Sequence, residues 1–502
     1  MTDTDATADT GTTATTATAA TAATTGTTAT TGTTATAETV SGGEAAARAP
    51  APTRGPGHWI EHWDPEDETF WRGHGRRIAR RNLALSILCE HIGFSVWSLW
   101  SVLVLFMGPE YGIDAAGKFF LVAVPTLVGA VLRVPYTFAV ARFGGRNWTV
   151  FSAALLLIPT AAAAYAVRPG TSYTVLLLVA ALAGVGGGNF ASSMTNINSF
   201  YPLRKKGWAL GLNAGGGNIG VPVVQLLGLL VIATAGAAHP RLVLAVYLPL
   251  IVVAAVLAAL FMDNLRSVRN DTGAARDAAR DPHTWIVSLL YVGTFGSFIG
   301  YSFAFGLVLQ TQFARTPLQA ASLTFLGPLL GSLVRPVGGR LADRYGGARV
   351  TLADFAAMAL ATGVVIAASA RHSLGVFLAG FVVLFVLSGL GNGSTYKMIP
   401  GIFQAKALAK GLTGEAAAAH GRRLSGAAMG LIGAVGALGG LGVNLAFRQA
   451  FRAGGSGTPA FVAFLGCYAL CSAVTWAVYL RRTAATVAVR GREAAEPALA
   501  EV

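Results

Sequence analysis

This 502-residue sequence predicts an all-α polytopic membrane protein with twelve transmembrane helices, arranged as two parallel six-helix repeats. Three observations predict it. Charged residues make up only 12% of the chain, about half the share found in a soluble domain. The apolar residues, 53% of the total, fall into runs that each approach the ~20 residues needed to cross a bilayer core. Glycine, arginine and asparagine positions of the first six runs recur, in the same order, in the second six. An ordinary cytosolic enzyme is excluded on composition. A net charge of +14 suggests nucleic acid only if the basic residues cluster on one folded surface, and here they stand as short groups between apolar runs. No nucleic-acid partner is expected. Cys89, Cys467 and Cys471 lie inside apolar runs with neither zinc spacing nor a disulfide framework, so no metal and no cofactor is expected.

Residues 1–57 are a Thr/Ala/Gly tract with almost no large apolar side chain, which predicts a disordered cytoplasmic tail. The tract has no basic stretch leading into an apolar one, so it does not read as a secretory signal. Residues 58–82 mix Trp59, Trp63, Phe70 and Trp71 with Arg72, Arg76, Arg77, Arg80 and Arg81. Such a segment suits the membrane interface, its aromatics at headgroup depth and its arginines toward anionic lipid. The first half, 83–265, holds runs at 83–107, 119–141, 148–167, 173–200, 207–235 and 241–262. A central loop, 266–283, leads to the second half, 284–480, with runs at 284–312, 319–342, 350–370, 374–403, 424–447 and 459–480, and a second tail, 481–502. Backbone groups in lipid must be satisfied within the segment, so each run is a helix. Sixteen Lys and Arg, from Arg142 to Arg423, fall in loops on the side of the tails. Seven fall on the other side: Lys118, Arg168, Arg241, Arg315, Arg371, Arg448 and Arg452. That bias places both termini in the cytoplasm with an even number of spans, and a multi-pass protein of the plasma membrane is expected.

The repeat carries the functional signal. Arg133 and Arg335 stand 202 residues apart, and the same register pairs Gly144-Gly145 with Gly346-Gly347. An offset of 203 pairs Gly186, Gly188 and Asn189 with Gly389, Gly391 and Asn392. An offset of 219 pairs Gly207, Gly211, Gly217 and Gly220 with Gly426, Gly430, Gly436 and Gly439, the extra residues being absorbed in the loop 404–423. Parallel repeats of this kind belong to secondary transporters, which bind substrate between the halves near the midplane. Arg133 and Arg335 lie mid-span, where a charge costs at least ~2.5 kcal/mol, so they are expected to face the bundle interior. Glu90 is the one acid clearly inside a span and cannot neutralise both. Two guanidinium forks converging from opposite halves suit a small planar anion. Asn218 and Asn213 are polar groups able to donate to an oxygen or to hold helices together, Tyr291 offers a hydroxyl, and Phe295 a wall. Lys397 reads as a third intramembrane cation or as a snorkelling one. No catalytic constellation is evident, so the protein is not expected to be an enzyme.

The segments GGGNFASSM (186–194) and GWALGLNAGGGNIG (207–220) resemble the first nitrate signature of the nitrate/nitrite porter family, and AAMGLIGAVGALGG (427–440) resembles its second. RFGGR (142–146) and DRYGGAR (343–349) are similar to the major facilitator loop motif in each half. The resemblance covers roughly 58–482 and implies the major facilitator fold, with nitrate and nitrite as substrates. It implies that Arg133 and Arg335 clamp the anion, that Asn218 and Tyr291 hydrogen-bond it, that Phe190 and Phe295 enclose it, and that Gly430 gives close passage beside it. Ala214, Lys397 and the Glu90-His91 pair depart from the family pattern.

Coupling remains with two readings. Two permanent positive charges in an empty site oppose its reorientation, which favours exchange of nitrate for nitrite. Glu90, His91 and Lys397 are ionisable groups that would let a proton accompany nitrate. The expectation is nitrate/proton symport by a monomer, with nitrate/nitrite antiport as the alternative and a transporter-like nitrate sensor as a further one.

Overall fold

In the computed structural model, residues 54–268 and 270–481 are described, all within one compact unit. Most of the expected tail, 1–53, and all of the second tail after Arg481 lie outside the described residues. Twelve helices are long and apolar enough to cross a membrane. Spans 1 to 6 are Glu68–Leu103, Ala115–Phe143, Gly145–Ala166, Tyr173–Phe200, Leu203–Ala235 and Arg241–Phe261. Spans 7 to 12 are Pro282–Phe313, Pro317–Tyr345, Gly347–Ala370, Leu374–Ala409, Gly414–Gly454 and Thr458–Leu480. Leucines and valines such as Leu230, Val253 and Leu360 remain exposed on the outer faces, as lipid-facing positions do.

Span ends depart from the sequence expectation where polar residues continue a helix beyond the apolar stretch. Span 1 starts at Glu68, capped by the Asp67 carboxylate, which accepts from the backbone N–H groups of Thr69 and Phe70. The expected loop 404–423 shrinks to a turn at 410–413 between spans 10 and 11. The interfacial reading of 58–82 needs correction in its aromatic part, while Arg72, Arg76, Arg77 and Arg80 stay exposed. Trp63, Phe70 and Trp71 are buried in the protein, with Trp63 5.2 Å from the Phe200 ring and Trp71 5.6 Å from Tyr201. The end of span 4 supplies an aromatic surface, and burying large rings there removes more apolar area from water than leaving them at an interface. The boundary of the expected tail at residue 57 shifts too. Arg54–Gly55 pairs antiparallel with Trp59–Ile60, which pairs parallel with Asn264–Leu265. Gly57, at φ 72°, makes the turn. Arg81 bridges to Asp263, which also accepts from Asn82 at 3.0 Å, so the start of span 1 is tied to the end of span 6.

The repeat is visible in the backbone. Spans 2 and 8 both end on a glycine in the positive-φ region, Gly144 at 91° and Gly346 at 89°. A Cβ on Gly186 would overlap the carbonyl of Gly93, and one on Gly389 would overlap that of Gly331, so spans 4 and 10 each press backbone to backbone on a neighbour. Gly217 of span 5 packs on Glu90, and its repeat partner Gly436 of span 11 packs on Tyr291. Glu90 in the first half therefore occupies the place that Tyr291 occupies in the second.

One face of the bundle is closed. Phe119 of span 2 stacks on Phe447 and Phe451 of span 11 at 5.5 and 5.1 Å, and Trp97 of span 1 meets Phe303 of span 7 at 5.5 Å. Gln225 Nε2 donates to Ser302 O at 2.8 Å, and Gln310 Nε2 to Leu105 O at 3.2 Å. The other face, where the central loop lies, is open. The loop itself carries a short helix, Thr272–Arg280.

Candidate functional site

A cavity of about 360 Å³ reaches from the central-loop face into the bundle, with Arg133 and Phe190 at its inner end and Asp271, Arg422 and Arg423 at its mouth. Its walls come from spans 2, 4 and 5 of the first half, spans 10 and 11 of the second, and the central loop.

Arg133 is fully buried. Its Nε donates to Gly187 O at 3.1 Å and its Nη1 to Gly433 O at 2.7 Å. The first acceptor belongs to span 4 and the second to span 11, so one side chain links the two halves. The guanidinium lies 4.7 Å from the Phe190 ring centre, 5.0 Å from Phe295 and 5.3 Å from Trp97. Aromatic faces stabilise a desolvated cation without neutralising it. Its Nη2 is buried with no partner among the described residues. Arg335, 8% exposed, donates from Nη2 to the Tyr291 hydroxyl at 3.3 Å, and its Nη1 is likewise without a partner. Tyr291 stacks on Phe295 at 5.1 Å, and Phe295 on Phe190 at 6.3 Å. Arg133, Phe190, Phe295, Tyr291 and Arg335 thus form one continuous set of contacts. Each arginine holds an N–H in reserve, and an unpaired buried donor is costly until an acceptor arrives.

The remaining expected residues divide. Asn218 is buried with neither amide atom partnered among the described residues, and like Arg335, Tyr291 and Phe295 it is not among the residues that line the cavity. Gly430 lines the cavity without being a close-approach glycine: a Cβ there would meet only Thr137, at an ordinary 3.5 Å. Gly436, about two turns farther along span 11, has no spare room, since its Cβ would overlap the Tyr291 ring. Glu90, 1% exposed, accepts on Oε2 from Ser193 and from Asn213 Nδ2 at 2.6 Å, while Oε1 has no partner among the described residues. His91 turns to the Gly216 carbonyl at 3.2 Å. Lys397 is not a buried cation: its side chain is 49% exposed and pairs with Asp343 at 3.0 Å, because a long stem lets the ammonium leave the bilayer core.

Three features escaped the sequence reading. Tyr396 lines the cavity with its ring 5.5 Å from Tyr291, but an aromatic on an apolar span carries no signal that separates it from packing. Gly433 contributes a carbonyl, which no side-chain pattern reveals. Asp354 is a second acid buried within a span, so Glu90 is not alone.

Comparison with known proteins decides the family. The Major Facilitator Superfamily profile matches residues 83–443. A nitrate/nitrite transporter of Escherichia coli, NarU, is 38% identical over 453 residues, covering 84% of this chain and 96% of its own length. The chain belongs to the nitrate/nitrite porter family of the major facilitator superfamily. NarU of Salmonella typhimurium is 39% identical over 447 residues, covering 84% of this chain and 96% of its own. A probable nitrate/nitrite antiporter of Thermus thermophilus, NarK2, is 36% identical over 377 residues, covering 69% of this chain and 83% of its own. Among solved structures, a D-xylose–proton symporter superposes with a TM-score of 0.59 at 16% identity, covering 80% of this chain and 96% of its own. An inward-facing, unoccupied bacterial homologue of the lysosomal transporter Spinster superposes with a TM-score of 0.57 at 16% identity, covering 80% and 96%. These two likenesses concern the fold.

Proposed function

We propose that this protein carries nitrate and nitrite across the plasma membrane by alternating access, as a monomer with both termini in the cytoplasm, and that nitrate enters with a proton. The observation that carries the reading is the pair of repeat-related arginines, both buried, each with an N–H unpartnered among the described residues beside the same aromatic wall. Nitrate is planar and singly charged, so each guanidinium fork meets two of its oxygens in plane while the rings of Phe190 and Phe295 cover its faces. The relatives named as nitrate/nitrite transporters support that choice of anion.

The open central-loop face corresponds on this reading to the inward-open state. Closure around the anion draws spans 10 and 11 against spans 2 and 4, and opening on the far side separates Phe119 from Phe447 and Gln225 from Ser302. Without an anion, two permanent charges resist this passage through a low-dielectric centre. Glu90 supports the proton: it is a buried carboxylate beside the site, with one oxygen unpartnered among the described residues, at the position equivalent to Tyr291. The antiporter name of the Thermus relative favours exchange as a second reading. Reconstituted vesicles separate them. Nitrate uptake into nitrite-free vesicles that follows an imposed inward proton gradient supports symport, whereas uptake that requires internal nitrite overturns it in favour of exchange.

A further inference from the structure

A second pocket lies outside the transport path. It encloses about 220 Å³ and is lined by Trp71, Arg76, Arg80, Tyr201, Lys205 and Trp208. Arg76 and Arg80 sit one turn apart on span 1, Tyr201 joins spans 4 and 5, and Lys205 and Trp208 lie on the first turns of span 5. Acids stand nearby, but they are engaged elsewhere: Glu68 pairs with Arg72 and Arg204, and Glu66 accepts from the backbone of Leu203. Arg76, Arg80 and Lys205 have no carboxylate partner among the described residues, so three positive charges converge uncompensated. Two buried groups at the pocket, the Tyr201 hydroxyl and the Trp71 indole N–H, are also unpartnered among the described residues. The walls are aromatic, with Tyr201 5.6 Å from Trp71 and 6.3 Å from Trp208, and Lys205 over the Trp71 ring at 5.9 Å.

Cations and hydrogen-bond donors without acceptors, gathered in one concavity, specify an anion. The rim specifies its source. Trp208 is 58% exposed, and Leu212, one turn farther along span 5, is also exposed, so the mouth continues into a lipid-facing surface. We infer that this pocket binds the phosphodiester headgroup of an anionic phospholipid, with the acyl chains running along span 5. The site holds the aromatic entry segment of span 1 against spans 4 and 5 on the central-loop face.

Native mass spectrometry of the full chain in detergent, titrated with phosphatidylglycerol or phosphatidylcholine, tests this. Phosphatidylglycerol is retained at one preferred site and phosphatidylcholine is not. Each of Arg80→Gln and Lys205→Gln lowers that retention about fivefold, and Arg448→Gln, at the opposite face, leaves it unchanged. Arg80 is exposed, so its single variant is expected to fold even if a combined variant does not. Equal retention of the two lipids, or retention indifferent to Arg80→Gln and Lys205→Gln, overturns the inference. So does equal displacement of bound phosphatidylglycerol by inorganic phosphate at matched concentration, which marks a site for a soluble anion.

Discussion

Arg133 donates two of its hydrogen bonds to backbone carbonyls and keeps a third N–H for the cavity, so its position is set by the helices and its unspent capacity by the substrate. Lysine supplies the charge but not the fork. Arg133→Lys or Arg335→Lys is therefore expected to weaken nitrate uptake roughly ten- to hundredfold, the equivalent of one or two charge-assisted bonds, measured as the concentration giving half-maximal uptake. Two glycines on span 11 give a paired prediction. Gly436→Ala pushes a methyl into the Tyr291 ring and is expected to destabilise the protein by about 1–3 kcal/mol and to abolish nitrate binding, as read by thermal unfolding with and without nitrate. Gly430→Ala meets only ordinary contact with Thr137 and is expected to leave this open state intact. The arginines were legible in the sequence because a charge in an apolar run is conspicuous and the repeat supplies its twin, whereas the role expected of Tyr291 came from the family resemblance. Tyr396 and the Gly433 carbonyl were not, since neither differs in pattern from packing residues.

The spans themselves were legible because a bilayer imposes length and apolarity on any helix that crosses it. Their ends were not, because water and protein neighbours replace lipid there and polar residues extend helices freely. Span 1 begins at Glu68, where its aromatics meet those of span 4. Pairing between elements separates two sources of pH dependence. At the mouth, Arg423 of span 11 donates from Nε to Asp271 at 2.5 Å and from Nη2 at 3.0 Å, and Asp271 also caps the central-loop helix by accepting from Ala274 N. The guanidinium holds the Asp271 carboxyl below its ordinary value of 3.8. A depressed carboxylate contributes its pairing above the unfolded value and loses it only as pH falls through the folded one, so this latch is constant from pH 5 to 8. Any pH dependence of transport in that window must arise elsewhere. Glu90→Gln is expected to remove proton-driven uptake and spare nitrate–nitrite counterflow, and proton-driven uptake that survives the change removes Glu90 from coupling.

Across the whole molecule, the open central-loop face and the closed opposite face describe one of two states, and the same contacts state what must break to reach the other. With Cys89, Cys467 and Cys471 replaced, cysteines introduced at Phe119 and Phe447 are expected to cross-link, to arrest transport, and to release it on reduction. Free transport with the cross-link formed contradicts the rocking of the halves. On the proposed reading, two repeat-related arginines bind one anion between those halves. Counterflow of labelled nitrate in vesicles, comparing the unmodified protein with the Arg133→Lys/Arg335→Lys double variant, tests it most directly. Robust counterflow is expected for the first and loss to background for the second, with the variant still folded by thermal unfolding. Counterflow undiminished in the double variant contradicts it.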